Sequence, residues 1–307
     1  VSWIIYPFMQ AWNSITRQMN DCLLYLLVPG LSVLLPSAWS RSLLARLSRC
    51  GWLLAANSDV AWIMAREFDT CKSVGPGDEV EWKTRWKQIE LLDVRDLYLM
   101  TFGRSRSALA EIEYEAPIER AKDRVMVGMH WGPSISTLKM MAVAGLTPAF
   151  LYRLPARQTL RSRPFYYLFL SLACHHLVKT MRERAVEVGG TSRKLGAMLD
   201  QPGSVVVLMD APPMEGRPTF SSPVLNRDAV FNAGFPTILA DKRKEYMFYA
   251  LSLRPDGSLR KKLELQGPFS SDNAQIFLRD YARFLDRHLS TDSAQWRIWH
   301  AAGQFWP

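Results

Sequence analysis

Three features of the 307-residue sequence predict an α/β fold: a mostly parallel mixed sheet covered by helices, preceded by an N-terminal amphipathic helical segment. After Ala116-Pro117, short β-branched or apolar runs alternate with helical stretches at the spacing of strand–helix–strand units. Ahead of that point the chain is rich in Leu and Trp, with basic residues set among the apolar ones. Apolar residues make up 48% of the chain and aromatics 11%, which excludes disorder, and the length suffices for one substantial core.

From Cys22 to Leu35 the run CLLYLLVPGLSVLL is apolar throughout. Its length of about 14 residues falls short of the ~20 that a membrane-spanning helix needs, and Pro29-Gly30 interrupts it. It has neither a basic leading region nor a small-residue cleavage site, so a signal peptide is not expected. In LLPSAWSRSLLARLSRCGWLL, residues Ser40, Arg41, Arg46, Ser48 and Arg49 fall between Leu43, Leu44, Leu47 and Trp52. That pattern is an amphipathic basic helix, suited either to a core or to a membrane surface. GPGD at 75–78 is a loop. In EVEWKTRWKQIELLDVRDLYLM, 79–100, Trp82, Trp86, Ile89, Leu92 and Leu97 recur near a period of 3.6 and predict a long helix with a buried face. The change of texture divides residues 1–116, hydrophobic and helical, from an α/β core at 117–307, within one structural domain.

In the core, RVMVGMH reads as a strand, ISTLKMMAVAG as a helix and LTPAFLYR as a strand. FYYLFLSLACHHLVKTMRERA and SRKLGAMLDQ read as helices, and SVVVLMD at 204–210 as a strand. Two alternating runs around Pro255-Asp256-Gly257 predict a hairpin, the antiparallel part of the sheet. A helix over 273–289 and an aromatic tail, WRIWHAAGQFWP, close the sequence.

Lys and Arg number 38 against 29 Asp and Glu, a formal charge of +9. Anionic lipid, an acidic carrier protein and nucleic acid are the partners such a charge attracts. Eleven Trp, ten Tyr and fourteen Phe beside Leu-rich runs favour a membrane interface, and no nucleic-acid-binding motif occurs. Cys22, Cys50, Cys71 and Cys174 are isolated, with the spacing of neither a disulfide framework nor a zinc site.

Chemistry in parallel sheets collects where strands end. His130 directly follows VMVGM and Asp210 directly follows SVVVLM, so both belong at one carboxyl edge. His130 leads into the turn formers Gly132-Pro133, with Ser134 and Ser136 at the start of the next helix as capping residues. No Gly-x-Ser-x-Gly elbow surrounds those serines, which argues against a serine nucleophile.

Several blocks, in order and spacing, resemble the late acyltransferases of lipid A biosynthesis, the lauroyl and myristoyl transferase branch of the glycerolipid acyltransferase superfamily. They are LLPSAWSRSLLARLSR, VMVGMHWGPSISTL, LYRLPARQTLRSRP, VVVLMDAPPMEGRPTFSSPVLNR, LRPDGSLRKKLELQGPF and DSAQWRIWH. The resemblance implies an α/β acyltransferase on the cytoplasmic face of a bacterial inner membrane, peripheral or monotopic. It would move an acyl chain from an acyl carrier protein or coenzyme A thioester to a hydroxyl or amine acceptor, with no further cofactor. It makes His130 the general base and expects a carboxylate five positions on to orient the imidazole. That position holds Ile135. Three readings follow: Asp210 supplies the carboxylate, although turn formation is its alternative role; His130 works unassisted on an amine; or the site binds an acyl or carrier-linked ligand without transfer.

Arg153, Arg157, Arg161 and Arg163 recur after a predicted strand, and Glu215-Gly216-Arg217 resembles the superfamily's Glu-Gly-x-Arg phosphate block less one residue. Arg153, Arg163, Arg217 and Ser134 are accordingly the expected donor-binding residues, with a solvated helix face as the other role for the arginines. Lys242, Arg243 and Lys244 form a patch for an acidic carrier or anionic lipid. His175 and His176 belong to an apolar helix, and His300 either lines an acyl tunnel or packs in the tail.

Overall fold

The computed structural model describes residues 17–68, 79–152, 154, 157–187 and 191–307. Arg153, Cys71 and the loop at 75–78 lie outside the described residues.

The strands are β1 (Ile112–Tyr114), β2 (Val125–Gly128), β3 (Ala149–Tyr152), β4 (Ala185–Glu187), β5 (Val205–Leu208), β6 (Thr219–Val224), β7 (Arg227–Asn232), β8 (Tyr246–Leu253) and β9 (Lys261–Phe269). Seven form one sheet in the order β1-β9-β8-β2-β5-β3-β4, and β6 and β7 make a separate antiparallel hairpin. Strands β8, β2, β5, β3 and β4 are mutually parallel; β9 turns back antiparallel to β8, and β1 lies parallel to β9. The expected α/β class and mixed sheet are both present.

Period-2 alternation sends successive side chains to opposite faces of this sheet, and each face has its own core. Val125 and Val127 of β2, with Phe248 of β8, join one core; Met126, Met247 and Tyr249 join the other. Helices cover both sides: α6 (Ser136–Val143) packs Met140 and Met141 on the second core, while α9 (Thr191–Asp200), α10 (Gly234–Lys242) and α11 (Ala274–Asp292) pack on the first. Helix α11 starts where Asn273 Oδ1 accepts from the N–H groups of Gln275 and Ile276 at 2.8 and 3.2 Å, a side-chain cap. The short edge strands β1 and β4 and the β6–β7 hairpin carry too few alternating residues to stand out in the sequence. Strand β1 precedes the boundary expected at residue 116, so the N-terminal region supplies a strand to the sheet.

At the N-terminal end, a π-helical turn, Leu23–Leu27, runs directly into α1 (Val28–Leu34). Pro29 has no N–H to give the Tyr25 carbonyl four residues back, and the Tyr98 hydroxyl donates to that carbonyl instead. Pro29-Gly30 therefore interrupts the hydrogen-bond ladder without ending the helix. Among the described residues no helix is long and apolar enough to cross a membrane. The amphipathic helix, α2 (Ser37–Leu47), buries Ser40 and Leu44 and leaves Trp39 70% exposed, so its inner face is rotated from the one its leucines mark.

After α3 (Ala55–Glu67), the long helix α4 (Glu79–Thr101) buries all five expected apolar positions. It also buries Asp93, Arg95 and Asp96, because it lies across the carboxyl edge of the sheet, surrounded by other elements. Arg95 bonds Asp96 at 2.6 Å and also Glu111, and Lys261 bonds Asp96 and, at 3.0 Å, the carbonyl of Ala108. These contacts tie α4 to β1, β9 and the short helix α5 (Ser105–Leu109).

Candidate active site

Strands β2 and β5 are parallel neighbours in register Val127↔Val207 and Gly128↔Leu208, so two residues on, His130 and Asp210 emerge side by side. His130 Nδ1 lies 2.8 Å from Asp210 Oδ1. The same carboxylate's Oδ2 accepts the backbone N–H of His130 at 2.7 Å and the indole N–H of Trp296 at 2.8 Å. Since a carboxylate accepts, Nδ1 carries the proton, and the lone pair is left on Nε2. Asp210 is fully buried while the His130 side chain is 38% exposed, so the pair presents a fixed acid beneath an accessible base.

The turn that carries His130 is pinned by the chain's closing segment. Arg297 N donates to His130 O at 2.8 Å, Gly132 N donates to Gln295 O at 2.8 Å, and Trp131 forms a β-bridge with Trp296. The Trp131 indole donates to Ser252 Oγ at 2.9 Å. Gly132 has φ +55°, and a Cβ there would stand 2.1 Å from the Leu251 carbonyl oxygen, so only glycine fits this crossing. At Gly128 the Tyr249 ring takes the side-chain space. Burial, and secondarily the Asp210 charge, raises the Tyr249 phenol; burial, Asp210 and Tyr249 together raise that of Tyr281. Both hydroxyls remain neutral beside the carboxylate.

Ile135, at the position where a carboxylate was expected, packs half-buried against Leu99 and Met100 of α4 and the adjoining α5. Its backbone N–H donates to Asp93 Oδ1 at 2.8 Å, and this fastens the start of α6 to α4. Burial raises the Asp93 carboxyl, against the opposing pull of Arg297. Arg297 also bonds Glu90 at 2.8 and 3.1 Å; burial lowers its guanidinium, but Asp93 and Glu90 together outweigh that and raise it. The expected capping by Ser134 and Ser136 is not found: Asp93 does the work from another helix, and Ser136 Oγ is buried without a partner among the described residues. Ser134 sits in the turn with its N–H on the Gly132 carbonyl at 3.0 Å, and no hydrogen bond joins its hydroxyl to His130 among the described residues.

Of the expected donor-binding arginines, Arg163 instead makes a two-pronged ion pair with Asp21, at 2.8 and 2.7 Å, and its guanidinium lies 4.4 Å from the Tyr166 ring centre. It ties the N-terminal helical turn to α8 (Pro164–Met181), which follows the short helix α7 (Arg157–Ser162). Arg217 stands exposed on the turn Met214–Arg217, without a bond to His130 or Asp210. Lys242 is held by Asp200 at 2.5 Å. His175 and His300 are exposed. His176 is half-buried, lowered to about 4 by burial and by Lys139 and Lys179.

Sequence reading missed Trp296, Arg297 and Asp93. The signal for the first two lay in the tail WRIW, and for the third in LLDVRD, where charges fall on a helix otherwise apolar. Fold and site together define an α/β protein with a buried aspartate beneath an accessible histidine at the carboxyl edge. Scanned against protein-family models, the sequence matches none, and no curated protein matches it.

Proposed function

We propose that this protein is a peripheral membrane acyltransferase with His130 as general base and Asp210 as the carboxylate that orients it. The observation that carries the reading is the 2.8 Å contact of His130 Nδ1 with fully buried Asp210, which leaves Nε2 free and accessible. In the proposed step, Nε2 takes the proton of an acceptor hydroxyl or amine as that atom attacks a thioester carbonyl. The new acyl–oxygen or acyl–nitrogen bond forms, the carbon–sulfur bond breaks, and the imidazolium returns the proton to the departing thiolate. Asp210 stabilises the imidazolium between the two transfers. With the carboxylate supplied from β5, the base needs no easier acceptor, so an alcohol suits it as well as an amine.

The blocks resembling the late lipid A acyltransferases support the same reading, with an acyl carrier protein or coenzyme A as thioester donor. Membrane attachment at the cytoplasmic face of an inner membrane fits the exposed apolar side chains Leu31 and Leu34 of α1, Trp39 of α2 and Leu168 of α8. The test is incubation of the protein with acyl-carrier and coenzyme A thioesters and a panel of acceptors, with mass spectrometry of the products. His130→Ala is expected to abolish transfer while leaving the circular dichroism spectrum and thermal transition unchanged. Transfer retained by His130→Ala would remove the histidine from the chemistry.

A further inference from the structure

A second group of residues at the same carboxyl edge has charge without a partner. Helix α2, helix α5 and the start of β9 border an open, solvent-facing cavity of about 470 Å³ lined by Ser37, Arg41, Arg106, Ser107, Glu111 and Arg260. The buried network beneath it is balanced within itself: two cations, Arg95 and Lys261, face two anions, Asp96 and Glu111. Arg41 bonds Glu111 at 2.6 Å, but that carboxylate is already committed to Arg95. Arg106 and Arg260 are exposed, and among the described residues neither has a carboxylate partner. Neighbouring acids are used elsewhere, Glu113 and Asp256 by Arg254 and Glu115 by Lys262. Three guanidiniums thus line one polar cavity in excess of the anions around it.

Like charges gathered this closely repel one another unless an anion joins them, and planar guanidinium forks match the oxygens of phosphate. We propose that this cavity binds a phosphate ester, with Arg106 and Arg260 as its principal ligands, Arg41 held in place by Glu111, and the Ser37 and Ser107 hydroxyls as further donors. Strand β1 is three strand spacings from β2, so the site stands about 14 Å along the edge from the His130 strand. Leu34 and Phe102, 81% and 63% exposed, lie within four residues of Ser37 and Arg106, and Arg104 fixes the two segments together through the Val33 and Leu35 carbonyls. A phosphate could therefore come from a lipid headgroup at a membrane surface or from a soluble ester, and the chemistry that recognises it is the same.

The test compares the full chain with Arg106→Gln/Arg260→Gln, and with Arg279→Gln/Arg283→Gln, which removes the same charge from an exposed face of α11. One arm measures glycerol 3-phosphate binding by calorimetry; the other measures co-sedimentation with phosphatidylcholine vesicles with and without phosphatidic acid. Binding by the parent chain that falls about tenfold or more in the first variant, and not in the second, is expected in at least one arm. Loss confined to glycerol 3-phosphate identifies a soluble ester; loss confined to phosphatidic acid vesicles identifies a lipid. The proposal is overturned if the parent chain binds neither, or if both variants lose affinity equally, which marks a general charge effect. Neither arm measures acyl transfer, so its failure leaves the role of His130 untouched.

Discussion

Asp210→Asn is the sharpest perturbation of the histidine–aspartate pair, because the change is nearly isosteric and its orientation is dictated by the surroundings. Asp210 Oδ2 accepts from two donors, the His130 backbone N–H and the Trp296 indole, while Oδ1 meets Nδ1 alone. An amide placed with its NH₂ toward those two donors would leave both buried and unpaired, at about 1–3 kcal/mol each. The asparagine carbonyl therefore takes the Oδ2 place, and its NH₂ faces Nδ1. Nδ1 must then accept, the proton moves to Nε2, and the imidazole loses the lone pair it needs as a base. Making the acid of a Ser-His-Asp triad an amide costs roughly 10⁴ in rate, or about 5.5 kcal/mol of barrier, and the same loss of kcat is expected here. The assay is thioester-dependent product formation, joined to ¹⁵N NMR of the His130 ring, which reads the tautomer without any substrate. A parent spectrum with the proton on Nε2, or an asparagine variant that turns over within tenfold of the parent, would refute the reasoning.

Three further perturbations address the scaffold around the site. Arg297→Met leaves Glu90 and Asp93 without their cation and is expected to cost about 3–5 kcal/mol in denaturant unfolding at neutral pH. Because burial already raises the Asp93 carboxyl above its unfolded value of 3.8, that deficit grows as pH rises and shrinks toward acid, and adding Asp93→Asn should recover part of it. Gly132→Ala combines a left-handed backbone with a collision against the Leu251 carbonyl and should cost about 2–5 kcal/mol. Gly145→Ala, with φ +76° and open space, should cost only the backbone part, and equal losses at the two sites would contradict the packing argument. Burial raises the Glu264 carboxyl, but hydrogen bonds from His288 and Arg287 outweigh it and bring the group from 4.5 to about 2. Its contribution to stability is complete above pH 4.5 and is lost as pH falls from 4.5 toward 2, so Glu264→Gln should flatten the unfolding free energy over that window.

Period and composition carried the architecture. VMVGM and SVVVLM had to be buried strands, the 3.6-residue recurrence of Trp82, Trp86 and Ile89 had to be a helix face, and Pro-Asp-Gly had to turn a hairpin, because each pattern is local. The carboxyl-edge rule then put His130 and Asp210 at one end of the sheet, since both directly follow a strand. What no local pattern contains is strand order. Only the pairing of β2 with β5, in register, turns two residues 80 apart in sequence into neighbours 2.8 Å apart, and it sets a carboxylate beside His130 although position 135 holds isoleucine.

The serines after His130 have the composition of a helix cap, and sequence spacing assigns them that task. The fold gives it to Asp93, because α4 crosses the carboxyl edge and brings a buried carboxylate to the Ile135 N–H. Arg163 has the chemistry to bind phosphate, yet Asp21 occupies it, whereas Arg106 and Arg260, unremarkable in sequence, have no acid partner among the described residues. By itself, then, the sequence determined which segments are strands and helices and which histidine stands at a strand's end, since backbone sterics and hydrophobic periodicity act over a few residues. The tertiary structure alone decided which charges are paired, because each pairing depends on the side chains that distant segments bring within about 4 Å.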